Sequence, residues 1–385
     1  MNRLHNIDEL LKEFVDQNIV GCGCVVTKNG EMVYEGYYGY ADLEQKVLMN
    51  ERSIHRLYST TKVIVCTAAM LLFERGKFLL NDPLHLYLPE FKDMQVVHTS
   101  PNGNVHVKAA QNPILVKHIF TMTSGIPYEW GESKTHQEIT RITGNLNKQG
   151  PHTLEQLIKE IAKAPLLFEP GTRWAYGYSH DIVARLVEVI SGVTIEQFIQ
   201  KELFDPLQMN DSGYRFKDDA QSRFVPLYAL NENNELAPIW ARGDENFEPS
   251  AIYNGGGLGI YSTPRDYTKF AQMLANGGMS GNQQIIGKRT IDLIRSNHLN
   301  AAQLEDFTNP YTAGYGYGLG VRTLIDPVAA HYGGSLGEFG WTGMSGTYTV
   351  IDPAEQLSIV YMHQRMPNME VEHHLRLRNV VYSCL

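Results

Sequence analysis

The opening residues set Leu4, Ile7, Leu10, Leu11 and Phe14 at helical spacing with charged residues between them, the stripe of an amphipathic helix. GCGCVVTKNGEMVYEGYYGYAD then predicts two strands joined at Asn29-Gly30, because Asn-Gly between apolar runs signals a tight hairpin. In TTKVIVCTAAMLLFERG the apolar positions Val63, Val65, Ala69, Leu72 and Phe73 run on nearly unbroken, which predicts a largely buried helix stopping at Gly76. From about residue 80 to 250, helical patterns such as LEQLIKEIAK and IVARLVEVISG alternate with Pro and Gly. Beyond 250 come a glycine cluster at Gly255 to Gly257, the helix TPRDYTKFAQMLANGG and the strand-like GTYTVIDP and QLSIVYMHQ. A final helical stretch, EVEHHLRLRNVVYSCL, follows them. Strand-rich ends around a helical middle predict an α/β (α+β) domain built from residues 1–80 and 250–385, with a mainly helical domain, 81–249, inserted between.

Composition narrows the classes of function. With 385 residues, 43% of them apolar and 10% aromatic, the chain can bury a sizeable core. A formal charge of -9 argues against nucleic-acid binding, which depends on clustered Lys and Arg displacing counterions. No apolar run reaches the ~20 residues needed to span a bilayer, and no signal-peptide core is present, so a cytoplasmic protein is expected. Cys22, Cys24, Cys66 and Cys384 are too few for a disulfide framework. The Cys22-x-Cys24 pair could hold a soft metal, but its place in a strand favours buried thiols. His373 and His374 are adjacent rather than i, i+4, so they cannot face one metal from a helix and are expected on its surface. Neither metal nor organic cofactor is expected.

Ser59-Thr60-Thr61-Lys62 stands at the start of the buried helix. Residues three apart share a helical face, so the hydroxyl and the amine can meet there. A lysine serves as a base only where burial or a neighbouring cation favours the neutral amine, and Val63, Ile64 and Val65 would promote this. A helix N-terminus also suits the anion formed in acyl transfer. By itself the tetrapeptide equally fits an N-capping serine followed by a solvated lysine.

The surrounding stretch, RLYSTTKVIVCTAAMLLFERGKFLLNDPLHLYLPEF, resembles the Ser-x-x-Lys region of class C β-lactamases, penicillin-binding proteins and family VIII esterases. ILVKHIFTMTSGIPY, EPGTRWAYGYSHDIVARLVEVISG, FDPLQMNDSGY, GGGLGIYSTPRDYTKFAQML and WTGMSGTYTVIDP follow in that family's order, over nearly the whole chain. The resemblance implies a β-lactamase-like antiparallel sheet flanked by helices, with the active site between the two domains. It also implies that Ser59 is the nucleophile, that Lys62 and Tyr176 handle its proton, and that the Ser59 and Met344 amides form the oxyanion hole. Tyr178 stands where the β-lactamases carry the Asn of Tyr-x-Asn, and Trp341-Thr342-Gly343 stands where they carry Lys-Thr-Gly. Trp cannot supply the charge that grips a carboxylate, so a neutral, partly apolar ester is the expected substrate. Trp341 as plain core packing remains the alternative. Tyr128 and Tyr178 join Trp341, Thr342 and Gly343 as expected substrate contacts, while the loops 128–135 and 241–253 would set substrate size.

Gly333-Gly334-Ser335-Leu336-Gly337 fits the Gly-x-Ser-x-Gly pattern, with Asp352 and His363 following in triad order. EFGWTGMSG, however, is too glycine-rich to be the helix that pattern requires. The reading is therefore a serine hydrolase acting on a small-molecule ester or amide, with a β-lactamase, a D-amino-acid amidase or peptidase and an acyltransferase as alternatives. A catalytically silent ligand-binding or sensor module is the alternative of another kind. The oligomeric state is not legible.

Overall fold

The computed structural model describes residues 3–100, 102, 104–216, 218–240, 244–248 and 250–385. Its centre is an eight-stranded antiparallel sheet. The strands are β1 (Gly21–Lys28), β2 (Glu31–Asp42), β3 (Val47–Leu48), β4 (Tyr315–Tyr317), β5 (Arg322–Leu324), β6 (Phe339–Thr342), β7 (Tyr348–Asp352) and β8 (Leu357–Met362). In space they run β4-β5-β6-β7-β8-β1-β2-β3, so β1 pairs with β2 on one side and with β8 on the other. The fold is thus of mixed helix and sheet, with the antiparallel sheet that the motif order implied.

Both faces of the sheet are covered, and side-chain alternation decides which residue faces which layer. Cys22, Cys24 and Val26 of β1, with Leu357, Ile359 and Tyr361 of β8, pack beneath α1 (His5–Gln17), whose Ile7, Leu10, Leu11 and Phe14 are all buried. Val360 and Met362, on the opposite face, join the larger core. Burial pushes the Cys22 thiol up to about 12.

The buried helix is α2 (Thr61–Glu74), with every residue from Thr61 to Leu72 buried. It ends where expected: Gly76 takes a left-handed φ of +66°, and Lys77 N–H returns to Leu72 C=O at 3.0 Å. The middle of the chain holds α3 (Lys134–Gln149), α4 (Leu154–Ile161) and α5 (Ser179–Ser191), the last packed on α2. It also contains a hairpin that the helical reading passed over, Gln95–Thr99 against Val105–Ala109. The remaining cover comes from α6 (Pro264–Ala275), on β1, β7 and β8, and α7 (Glu370–Cys384), against α1.

The expectation of surface histidines on α7 is corrected. His373 and His374 are both buried, because α7 packs against both α1 and the sheet: His373 stacks on Phe14 at 3.8 Å and His374 on Tyr348 at 4.2 Å. Among the described residues no helix is long and apolar enough to cross a membrane, and no group of three or more metal-ligating side chains converges.

Candidate active site

The chain enters the site through a short strand, His55–Arg56, paired with Tyr261–Ser262. Leu57 N–H then donates to Ile260 C=O at 3.0 Å, and a 3-10 turn, Tyr58–Thr60, leads into α2. This turn brings Ser59 over the first turn of α2. The N-cap is Thr60 and no side chain caps the helix, so the capping alternative for Ser59 does not hold. Instead Ser59 Oγ accepts from Lys62 Nζ at 3.1 Å and from Tyr176 OH at 2.8 Å.

Lys62 is buried to 1% exposure. Its Nζ donates to Gly257 C=O at 2.8 Å and Tyr128 OH at 3.2 Å, and lies 4.7 Å from the centre of the Tyr176 ring. Among the described residues no carboxylate pairs with it directly. Asp181 bears on it both by charge and through the backbone. Asp181, at the start of α5, is buried, and its Oδ1 accepts from Tyr253 OH and from the amides of Gly256 and Gly257 at 3.0 and 3.1 Å. It therefore clamps the glycine segment whose carbonyl orients Lys62. A side chain at 257 would displace the groups of the site, since a Cβ there would meet Tyr128 OH at 2.5 Å and Asp181 Oδ2 at 2.8 Å.

Burial pushes the Asp181 carboxyl up from its ordinary value, opposed by the Tyr253 hydroxyl, Lys62 and the two amides. The folded protein thus holds this proton more tightly than the unfolded chain does, and the carboxylate costs stability once the pH passes its raised value. Asp181→Asn is expected to lower kcat/KM roughly 10- to 100-fold, the equivalent of one charge-assisted hydrogen bond. It should also remove an acid limb from the pH profile and leave the Tm at neutral pH unchanged or higher. A wild-type pH profile in the variant would count against the role.

Tyr176 is held from the other side by Trp341, whose Nε1 donates to the phenol oxygen at 3.2 Å while the rings lie 5.8 Å apart at 25°. Trp341 is thus core-packed and tied to the site at once. Gly343 lets the strand approach Leu57, since a Cβ there would fall 2.4 Å from Leu57 C=O. Thr342 Oγ1 donates to Thr347 C=O at 3.3 Å. Tyr178 OH donates to Glu129 Oε1 at 2.8 Å, and Tyr128 crosses the Tyr176 ring edge to face at 5.5 Å.

Two cavities, of about 240 and 270 Å³, meet at Ser59, Met344 and Trp130. The first carries Tyr128, Tyr178, Tyr253 and Gly257 and reaches His152 and Leu157. The second carries Trp174, Tyr176, Trp341, Thr342 and Gly343. Among the described residues neither the Ser59 N–H nor the Met344 N–H donates to a protein acceptor. Of the loop 241–253, residues 241–243 and 249 lie outside the described residues, while Glu245 and Tyr253 line the first cavity. Sequence reasoning assigned no part to Asp181; Gly257 was legible only as a member of the glycine cluster 255–257, and Trp130 only within the loop 128–135 expected to set substrate size.

The Gly-x-Ser-x-Gly group is not assembled. Asp352 accepts from the Ser335 amide rather than from a histidine, and His363 is buried against Tyr361.

This fold is that of a serine-hydrolase superfamily: the chain belongs to the Beta-lactamase family, whose model matches residues 7–382. Among similar proteins is esterase EstB of Burkholderia gladioli, 27% identical over 98% of this chain and 93% of EstB. Among solved structures, EstCE1, a hydrolase with promiscuous acyltransferase activity, superposes with a TM-score of 0.81 at 24% identity, covering 99% of this chain and 98% of that one. Unliganded simvastatin synthase from Aspergillus terreus superposes at 0.80 and 20% identity, covering 100% of this chain and 98% of the other. At such identities these two structures establish the fold alone.

Proposed function

We propose that this chain is a serine hydrolase that cleaves a small carboxylic ester through an acyl-enzyme on Ser59. The observation that carries this reading is the contact of Ser59 Oγ with both Lys62 Nζ and Tyr176 OH where two cavities meet. Loss of a proton from the Lys62–Tyr176 pair reverses one of these contacts, and Ser59 then donates its own proton as its oxygen attacks the carbonyl carbon. The carbonyl oxygen becomes an anion between the Ser59 and Met344 amides. Collapse of the tetrahedral intermediate breaks the ester C–O bond. The alkoxide takes its proton from Tyr176, which faces the second cavity, and water repeats the sequence to free the acid. On this reading the site lies at the seam of the two parts of the chain. Ser59, Lys62, Gly257, Trp341 and Met344 come from 1–80 and 250–385, while Tyr128, Tyr176 and Asp181 come from 81–249.

The ester preference rests on Trp341. Its indole nitrogen is engaged with Tyr176, and the cation beside that cavity, Arg322, is buried against Tyr311, Tyr315 and Tyr348 with Glu370 opposing it. Among the described residues lining that cavity, a carboxylate-bearing lactam would therefore find no exposed cation. Labelling with a fluorophosphonate should place an adduct on Ser59, and short-chain nitrophenyl esters should turn over faster than nitrocefin. Trp341→Lys is expected to lower ester kcat/KM by about tenfold, through loss of the bond to Tyr176, and to raise the nitrocefin-to-ester ratio. Efficient nitrocefin turnover by the wild type with inert esters would make the protein a β-lactamase instead.

Transfer of the acyl group to an alcohol is a second reading, favoured by the aromatic walls of the second cavity, Trp130, Trp174, Phe307 and Trp341. Added butanol should then yield butyl ester in competition with free acid.

A further inference from the structure

We propose that Tyr58 is a positioning residue for the oxyanion-binding amide of Ser59, held in its backbone conformation by a buried anchor on Asp244. The inference rests on the reading of Ser59 as nucleophile and adds a residue that the reading does not use.

Tyr58 has a φ of +44°, in the left-handed region. A bulky aromatic residue resists that conformation, which glycine would adopt freely, and such strain persists only where the surroundings over-determine it. Among the described residues eight other non-glycine residues also have positive φ, but Tyr58 is the one whose C=O and Cα directly precede the Ser59 amide. The chain is fixed on both sides of it. Leu57 N–H is bonded to Ile260, and Leu57 C=O accepts the hydroxyls of Thr60 and Thr347 at 2.9 and 2.8 Å. From Thr61 onward the backbone is committed to α2. The change of direction that brings Ser59 to the wall of both cavities must therefore be made at Tyr58 itself.

The side chain is what holds that change in place. It is 2% exposed, with its OH donating to Asp244 Oδ1 at 2.5 Å and its ring meeting Phe247 edge to face at 5.2 Å. Asp244 is buried as well and lies 3.5 Å from Arg56 Nε, while the Arg56 guanidinium stands 5.7 Å from the Phe247 ring centre. Arg56, Tyr58, Asp244 and Phe247 thus form a closed set that joins the residue before the nucleophile to the 3-10 turn Asp244–Phe247, in the segment that walls the first cavity. Packing alone would need only the ring. The hydroxyl and the buried carboxylate add a directional restraint to a strained backbone, one residue from the atoms that must meet the oxyanion within a few tenths of an ångström.

Tyr58→Phe keeps the ring and its volume and removes only the hydroxyl. On a nitrophenyl butyrate its kcat is expected to fall roughly 10- to 100-fold with KM unchanged, less than or equal to the loss of a whole oxyanion donor. Affinity for phenylboronic acid should fall by the same factor, because its tetrahedral adduct puts an oxygen where the oxyanion would stand. Asp244→Ala should reproduce both losses, and the double variant should lose no more than either single one, since the two remove the same restraint. Thermal denaturation confirms that each variant is folded at the assay temperature; if Tyr58→Phe is not, Asp244→Asn, which keeps an acceptor, should retain both kcat and boronate affinity. Wild-type kcat and boronate affinity in Tyr58→Phe, or additive losses in the double variant, would overturn the inference. A wild-type protein that fluorophosphonate fails to label at Ser59 would instead overturn the nucleophile reading beneath it.

Discussion

Ser59→Ala is expected to reduce ester kcat/KM by roughly 10³- to 10⁶-fold, the range that follows removal of a serine nucleophile from a working site. The substitution removes one oxygen and no packing, since Ser59 Oγ faces Lys62 and Tyr176 where the cavities join. Substrate affinity and Tm should therefore hold while covalent labelling disappears. Because the two amides would still polarise a bound carbonyl, a residue of activity above the uncatalysed rate should persist. Measured on a nitrophenyl ester panel, rates that do not depend on Ser59 would end the functional proposal.

Lys62→Met is expected to cost about 10³-fold in kcat/KM, within the range for a general acid–base group, with KM nearly unchanged. Methionine fills the buried stem of the lysine, so the fold should survive: the flanking residues Thr61 and Val63 are themselves buried and hold the helix in place. What is lost is the set of donors to Ser59, Tyr128 and Gly257 C=O, and the cation over the face of Tyr176. Arginine should not restore activity, because its planar fork cannot replace a compact ammonium in a closed pocket. A Lys62→Met protein with wild-type acylation rates, read from the burst of nitrophenol, would remove Lys62 from the mechanism.

The parts of the site that could be read from the chain are those whose relations are local or carried by an ordered motif. The meeting of Ser59 and Lys62 follows from a three-residue spacing, and the structure puts the two groups 3.1 Å apart. Tyr176 is one of 21 tyrosines and stood out only through the order of motifs around it. Asp181 left almost no trace, because its bonds to Gly256 and Gly257 span 75 and 76 residues and disturb no periodicity. His373 and His374 misled for a similar reason: neighbours on a helix point roughly 100° apart, and only a helix flanked by both α1 and β7 can bury the two together. The helical, strand-rich and helical textures gave the sheet from both ends of the chain, yet hid the hairpin at 95–109, whose alternation is short and mostly exposed.

The place of β1 inside the sheet bears on how the protein is made. Thr27 and Ser358, 331 positions apart in the chain, share a hydroxyl bond, so β1 waits for a partner strand made much later in synthesis. Until β8 leaves the ribosome, β1 presents an unsatisfied apolar edge, and pairing at such separation is slow and prone to association between chains. Yield of soluble protein should accordingly depend on temperature and on chaperone supply during expression more than on the stability of the finished molecule.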